Sequence, residues 1–78
     1  MTSKRIGKVI NLHRKKSKLT QRQLADLAGV GKTVVFDIEK GKETVQLNSL
    51  LKVLSVLNIK LEMKSPLMQL LERKDEEG

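Results

Sequence analysis

The chain has 78 residues, a formal net charge of +7, one histidine and no cysteine. This length suits one small domain with short ends, and the composition excludes disulfides and offers no ligand cluster for a structural metal. The single aromatic residue, Phe36, argues against RNA or single-stranded DNA, which proteins bind by stacking bases on several rings. The positive charge therefore predicts duplex DNA as the partner.

Hydropathy indicates the compartment. No apolar run is long enough to span a membrane, and the first ten residues lack the apolar segment of a signal peptide. We therefore expect a cytoplasmic protein that does not associate with a membrane.

The first helix is predicted over residues 4–16 by residues at helical spacing: Ile6, Val9, Ile10 and His13. In this register we expect His13 at the edge of the core, rather than as a base or a metal ligand. Residues 1–18 contain cations and no acid: Lys4, Arg5, Lys8, Arg14, Lys15, Lys16 and Lys18. This basic face is expected either to contact phosphate groups or to be an ordinary solvated surface.

Two short helices joined by a glycine turn are predicted next. Thr20 and Gln23 match a capping box, which predicts a second helix over residues 21–28. Gly29 suits the left-handed end of that helix, and a third helix is predicted over residues 32–40. This arrangement is a helix-turn-helix.

A fourth helix is predicted after Asn48, a candidate N-cap, and is expected to end near Asn58. It carries apolar residues on one face: Leu50, Leu51, Leu54 and Leu57. Because this stripe is too short for a leucine zipper, we assign it to the core.

The last part of the chain is predicted to contain a strand and a tail. Residues 59–64 alternate between apolar and charged side chains, which is the period of a β-strand. Because a lone strand is unstable in water, we expect it to pair with the same strand of a second subunit. The apolar positions of this dimerisation strand are Ile59, Leu61 and Met63. In the tail, residues 65–78, the pair Ser65-Pro66 predicts a short amphipathic helix over residues 67–74.

Several of these positions together resemble a known family. The similarity to the Xre family, the phage repressor and Cro type of helix-turn-helix, lies in Leu19 to Ala25, Gly29-Val30, Val35 and Ile38 to Gly41. It implies an all-α, lambda-repressor-like DNA-binding domain of five helices, here residues 1–58. The HipB-type antitoxin branch is resembled by Thr44 to Leu47, Leu50-Leu51, Val53-Leu54, Leu57 and the strand 59–64.

The family places its third helix in the major groove. The resemblance therefore implies DNA contacts from Gln21, Arg22, Lys32, Thr33, Phe36, Asp37, Lys40 and Lys42. Lys32 and Thr33 are implied to meet base edges, while Asp37 is an acid where the family often has a neutral or basic residue. Arg14 and Glu39 match a structural ion pair that fastens the first helix to the third.

These features predict a sequence-specific transcriptional repressor that binds an inverted-repeat operator as a homodimer. The HipB resemblance extends this prediction to the antitoxin of a HipBA-like toxin–antitoxin module, with a HipA-like kinase toxin as partner and its own operon as target. The alternatives are a stand-alone phage-type or restriction-controller regulator, and a nonspecific chromatin-like binder.

The start of the third helix also resembles part of a nucleotide-binding motif. Gly31-Lys32-Thr33 imitates the end of a phosphate-binding loop, but Asp26 stands where that loop needs its first glycine. No cofactor and no enzymatic activity are therefore predicted.

Overall fold

The computed structural model describes the backbone of residues 1–77 and the side chains of residues 1–73. Its helices are α1 (Ser3–Lys16), α2 (Gln21–Ala28), α3 (Lys32–Lys40), α4 (Leu47–Val56) and α5 (Met68–Glu77). In the packed part of the fold, α3 lies between α1 and α2, and α4 packs mainly on α2. The described residues include no helix that is both long and apolar enough to cross a membrane.

The core is aliphatic and draws on all four packed helices. Its buried members are Ile10, Leu24, Ala25, Val35, Ile38, Val53 and Leu54. Full burial of one such side chain contributes about 1.5–3 kcal/mol for valine, leucine or isoleucine. Through this core, α1 and α4 pack against the helix-turn-helix pair, α2 and α3.

Local capping determines where α2 begins and ends. The Thr20 hydroxyl accepts a hydrogen bond from the Gln23 backbone amide at 3.0 Å, and the Gln23 side chain accepts one from the Thr20 amide at 2.8 Å. Gly29 closes the helix in the left-handed conformation, with φ of 71°. The predicted capping box and the predicted bounds of α2 and α3 are confirmed.

The packing of α1 corrects one expectation. His13 was expected at the edge of the core, but its side chain is exposed, with the ring Nδ1 2.8 Å from the Val9 carbonyl oxygen. The reason is rotational: the buried positions of α1 are Gly7 and Ile10, so the face turned to the core passes through residues 7, 10 and 14. His13 points away from that face.

Glycine makes the crossing of α1 and α3 possible. A Cβ atom at Gly7 would clash with the carbonyl oxygen of Ile38 and would lie 2.8 Å from that of Glu39. The backbones of the two helices are therefore closer than any larger residue at position 7 allows. This contact positions α3 directly, without intervening side chains.

The bounds of α4 also differ from the prediction. Its N-cap is Gln46, which makes no side-chain cap hydrogen bond, and Asn48 lies inside the helix. Asn58 follows the helix in the left-handed conformation, with φ of 57°. The Ile59 amide donates to the Leu54 carbonyl at 2.9 Å and so completes the turn.

Beyond Asn58, residues 59–65 have no regular secondary structure, and the described part of the chain contains no strand. The strand predicted over residues 59–64 is therefore absent from the single chain, and its pairing with a second subunit stays a prediction. The family resemblance implied five helices before residue 58, whereas four of the described helices precede it and α5 lies in the tail. Residues 41–46, between α3 and α4, form only turns and a bend, so no further helix lies before residue 58.

The tail helix was predicted one residue early at its start and three early at its end. The Ser65 hydroxyl accepts a hydrogen bond from the Leu67 amide at 3.1 Å, and α5 begins at Met68. It continues to Glu77.

Candidate nucleic-acid interface

Helix α3 has one buried face and one exposed face. Val35 and Ile38 are buried in the core. The exposed side chains are Lys32, Thr33, Phe36 and Lys40, which we call the α3 outer face. They follow the helical spacing of i, i+1, i+4 and i+8, so they lie along one side of the helix. This face carries hydrogen-bond donors, positive charge and one aromatic ring.

Two members of the α3 outer face contact each other. The Lys40 ammonium lies over the Phe36 ring, 5.0 Å from its centroid. Such a cation–π contact at an exposed site contributes about 0.5–1 kcal/mol. The ring nevertheless stays 43% exposed, which is high for a large hydrophobic side chain next to a core.

The end of α3 explains the acid at position 37. The Asp37 carboxylate lies 3.5 Å from the Lys42 ammonium, and the Lys42 backbone amide donates to the Asp37 carbonyl at 3.0 Å. Gly41, with φ of 83°, makes the left-handed turn that brings Lys42 back. Asp37 is thus a partner of Lys42, and it offsets part of the charge that Lys42 would offer to DNA.

Glu39 connects three helices on the other side of α3. Arg14 of α1 donates from Nε to Glu39 Oε2 at 2.6 Å and from Nη2 to Oε1 at 3.0 Å. Asn11 of α1 donates to Oε1 at 2.6 Å, and Gln21 of α2 is 3.4 Å from the same oxygen. Arg14 also donates to the Leu19 carbonyl at 2.8 Å. The ion pair implied by the family resemblance is therefore present, within a larger network.

The environment of Glu39 determines its protonation. Its side chain is only 6% exposed, and burial by itself raises the pKa of a carboxyl group. The hydrogen bonds from Arg14, Asn11 and Gln21 outweigh that effect and hold the pKa of Glu39 below its ordinary value. The hydrogen bonds with Glu39 in turn raise the pKa of Arg14. The pair is therefore charged at neutral pH.

The remaining predicted contact residues occupy different positions. Gln21 begins α2 and is half-buried, with its amide directed to Glu39, whereas a phosphate contact was expected from it. Arg22, the next residue, is exposed. The structure thus brings together the members of the α3 outer face, and it places Gln21 with Arg14 and Glu39.

Sequence reasoning missed two residues that support the site. Asn11 shares the Glu39 carboxylate, and Gly7 allows α1 to approach α3. The signal for Asn11 was its position three residues before Arg14 on one helix face. The signal for Gly7 was a glycine inside a predicted helix, where it costs about 1 kcal/mol relative to alanine unless packing requires it.

Helices α2 and α3, the turn Gly29-Val30-Gly31 and the α3 outer face together define a helix-turn-helix domain. The sequence matches the family described as Helix-turn-helix over residues 10–63, and the chain belongs to that family. A curated relative, the uncharacterized HTH-type transcriptional regulator y4mF of Sinorhizobium fredii, is 38% identical over 61 residues. The alignment covers 78% of this chain and 80% of the relative.

Solved structures share the fold. A HipA-HipB-O2-O3 complex contains a chain that matches with a TM-score of 0.75 and 18% identity, over 85% of this chain and 93% of that chain. A HipB-O4 20mer complex matches with the same TM-score and identity, over 85% and 93% of the two chains. The resemblance to Xre-type proteins and to the HipB fold is confirmed by the family match and these structures.

Proposed function

We propose that the chain is a sequence-specific transcriptional repressor that binds duplex DNA through the α3 outer face. The observation that carries this proposal is that face itself, one side of a helix with exposed donors, on a helix that packs against α1 and α2. The printed name of the relative from Sinorhizobium fredii, an HTH-type transcriptional regulator, supports the same function. Repression follows if the bound protein occludes a promoter.

The base-reading residues are Lys32 and Thr33, in the first turn of α3. A lysine ammonium suits the O6 and N7 acceptors of guanine, and a threonine methyl or hydroxyl suits a thymine methyl or a polar base edge. Both side chains are exposed. We expect Lys32→Ala and Thr33→Ala to relax sequence preference by about 1–3 kcal/mol.

We propose phosphate contacts from Arg22, Lys40 and Lys42, which flank this reading turn, and from the backbone amide of Gln21, because its side chain is directed to Glu39. The amide groups at the start of α2 add a partial positive charge for the same phosphates. Lys42 is 56% exposed and contributes less than a full charge because Asp37 lies beside it. We expect phosphate contacts to set the affinity without setting the sequence.

We propose that two copies bind an inverted repeat. Within the described chain, the main-chain groups of residues 60–64 make no hydrogen bond, and Leu61 and Met63 are exposed. An open backbone edge with alternating apolar residues is a template for strand pairing. Half-sites one turn of DNA apart require two α3 helices about 34 Å apart, and we propose that pairing of Ile59, Leu61 and Met63 with their copies sets this distance.

The test is selection of bound duplexes from a random pool, followed by affinity measurements at several salt concentrations. We expect an enriched inverted repeat and, for about four phosphates per subunit, a slope of log affinity against log salt near about −7. Lys32→Ala should bind the selected and scrambled duplexes more equally, whereas the control Lys52→Ala, an exposed lysine of α4, should not. If the duplexes recovered after selection share no common sequence, the protein binds DNA nonspecifically and the proposal is wrong.

We further propose that the repressor is the antitoxin of a HipBA-like module, with a HipA-like kinase toxin as partner. The specific support is the likeness in fold to HipB in a complex that contains HipA, together with a leucine-rich region after α4. If a kinase-like protein is encoded in the adjoining reading frame, its expression alone should arrest growth. Co-expression of this chain should restore growth, and the two proteins should co-purify. If no such reading frame adjoins, the alternative of a stand-alone regulator holds.

A further inference from the structure

Phe36 is the only aromatic residue of the chain, and it does not lie in the core. Its ring is 43% exposed in the middle of the α3 outer face, one helical turn after Lys32 and Thr33. An aromatic side chain is among the largest sources of hydrophobic stabilisation when buried. At this position the chain gives up part of that stabilisation, because 43% of the residue stays exposed to solvent.

The ring has one occupied face. The Lys40 ammonium covers it at 5.0 Å from the centroid, which restrains the ring by a contact within α3. The exposed part of the side chain contains no hydrogen-bond donor or acceptor. An exposed phenylalanine can therefore discriminate between bases only through an apolar group.

The major groove offers one apolar group, the C5-methyl of a pyrimidine, which unmodified DNA carries only on thymine. We propose that Phe36 is a specificity-determining residue that packs against this methyl group, an inference that rests on the proposed function.

The test uses the operator selected with the wild-type protein. Each thymine is replaced in turn by uracil, which removes the methyl group and keeps every hydrogen-bonding atom. We expect one position in each half-site at which uracil weakens binding by about fourfold, the factor that matches the transfer of one methyl-sized group out of water. At that position, 5-methylcytosine should bind more tightly than cytosine by a similar factor.

Variants of Phe36 identify the residue responsible. Phe36→Ala should bind the thymine and uracil duplexes equally. Phe36→Leu keeps an apolar side chain, so the logarithm of its ratio of dissociation constants for the two duplexes should be at least about half that of the wild type. Because the ring is exposed, both variants should keep the helical circular dichroism of the wild type. An unchanged thymine preference in Phe36→Ala would overturn the inference.

Different results would contradict the role of Phe36 and the proposed function. An enriched operator that is bound equally with thymine and with uracil at every position would overturn the role of Phe36 and leave the proposed function intact. A pool without any enriched sequence would overturn the proposed function and this inference together.

Discussion

At Glu39, side chains from α1 and α2 converge on one carboxylate of α3. A nearly buried acid in a chain of net charge +7 is stable only because its oxygens accept several hydrogen bonds. Removing Arg14 would leave the Glu39 carboxylate buried without its charged partner. The resulting loss in free energy of unfolding is far larger than the net contribution of an ion pair exposed to solvent. The orientation of α3 relative to α1 therefore depends on residues that do not face DNA.

Replacing Arg14 tests this dependence. Arg14→Met should lower the free energy of unfolding by about 3 kcal/mol, because Glu39 stays buried after losing its charged partner. Urea denaturation measures the change. The matched control is Arg5→Met, at an exposed position of the same helix, with an expected change within about 0.5 kcal/mol. Equal effects of the two substitutions would contradict a structural role for the ion pair.

The protonation of Glu39 makes a second prediction. A carboxyl group whose pKa is lower in the folded state stabilises the fold above its unfolded pKa, and this stabilisation disappears as the pH falls through the folded pKa. The wild type should therefore lose stability below about pH 4.5, more steeply than Glu39→Gln. Denaturation midpoints from pH 6 to about pH 3 would show it. Glu62→Gln, at an exposed position, should follow the wild type; parallel curves for all three would contradict the prediction.

Among the elements, α2 and α3 were predictable because their ends are determined locally. Thr20, Gln23 and Gly29 each act through backbone groups a few residues away, and each acts in the structure as expected. The start of α4 was not predictable in this way, because Gln46 makes no side-chain cap hydrogen bond. The capping rule pointed to Asn48 instead, which lies inside the helix.

The candidate site was predictable to a similar extent. The spacing within α3 placed Lys32, Thr33 and Phe36 on one exposed face, since the period of a helix is known. The contact between Asp37 and Lys42 could not be predicted from spacing, because it depends on the left-handed turn at Gly41 and on the conformations of both side chains. The contact between Gln21 and Glu39 depends on the angle between two helices, which local signals do not determine.

The crossing of α1 and α3 can be tested at Gly7. Gly7→Ala should destabilise the fold by about 1–3 kcal/mol, although alanine favours helix formation, because its Cβ would meet the α3 backbone. Thermal denaturation measures the shift. The control Gly31→Ser places a side chain where nothing lies within 4 Å and should not destabilise the fold. A stabilised Gly7→Ala variant would show that the helices separate at no cost.

For the whole molecule, exposed apolar side chains are concentrated in the second half of the chain. They include Leu47, Leu51, Leu61, Met63, Leu67, Leu70 and Leu71. A domain of this size buries only about 60% of its unfolded surface, so a second copy that covers part of this region would add stability. The proposed dimer strand lies within it.

A pair of substitutions tests the dimer. Leu61→Gln should weaken self-association, because it removes an apolar contact from the proposed pairing face, while Glu62→Gln on the other side should not. Sedimentation equilibrium gives the dissociation constants, and deletion of residues 59–78 should have the largest effect. Sedimentation behaviour that the deletion leaves unchanged would refute strand pairing.

The purely aliphatic core has a practical consequence for spectroscopy. The chain has one phenylalanine, one histidine and no tyrosine or tryptophan, and the side chains of Phe36 and His13 are both exposed. The ring-proton region of its NMR spectrum in deuterated water therefore holds one signal set from the α3 outer face and one from α1. Phe36 is a built-in reporter on the α3 outer face, without background from aromatic side chains in the protein interior.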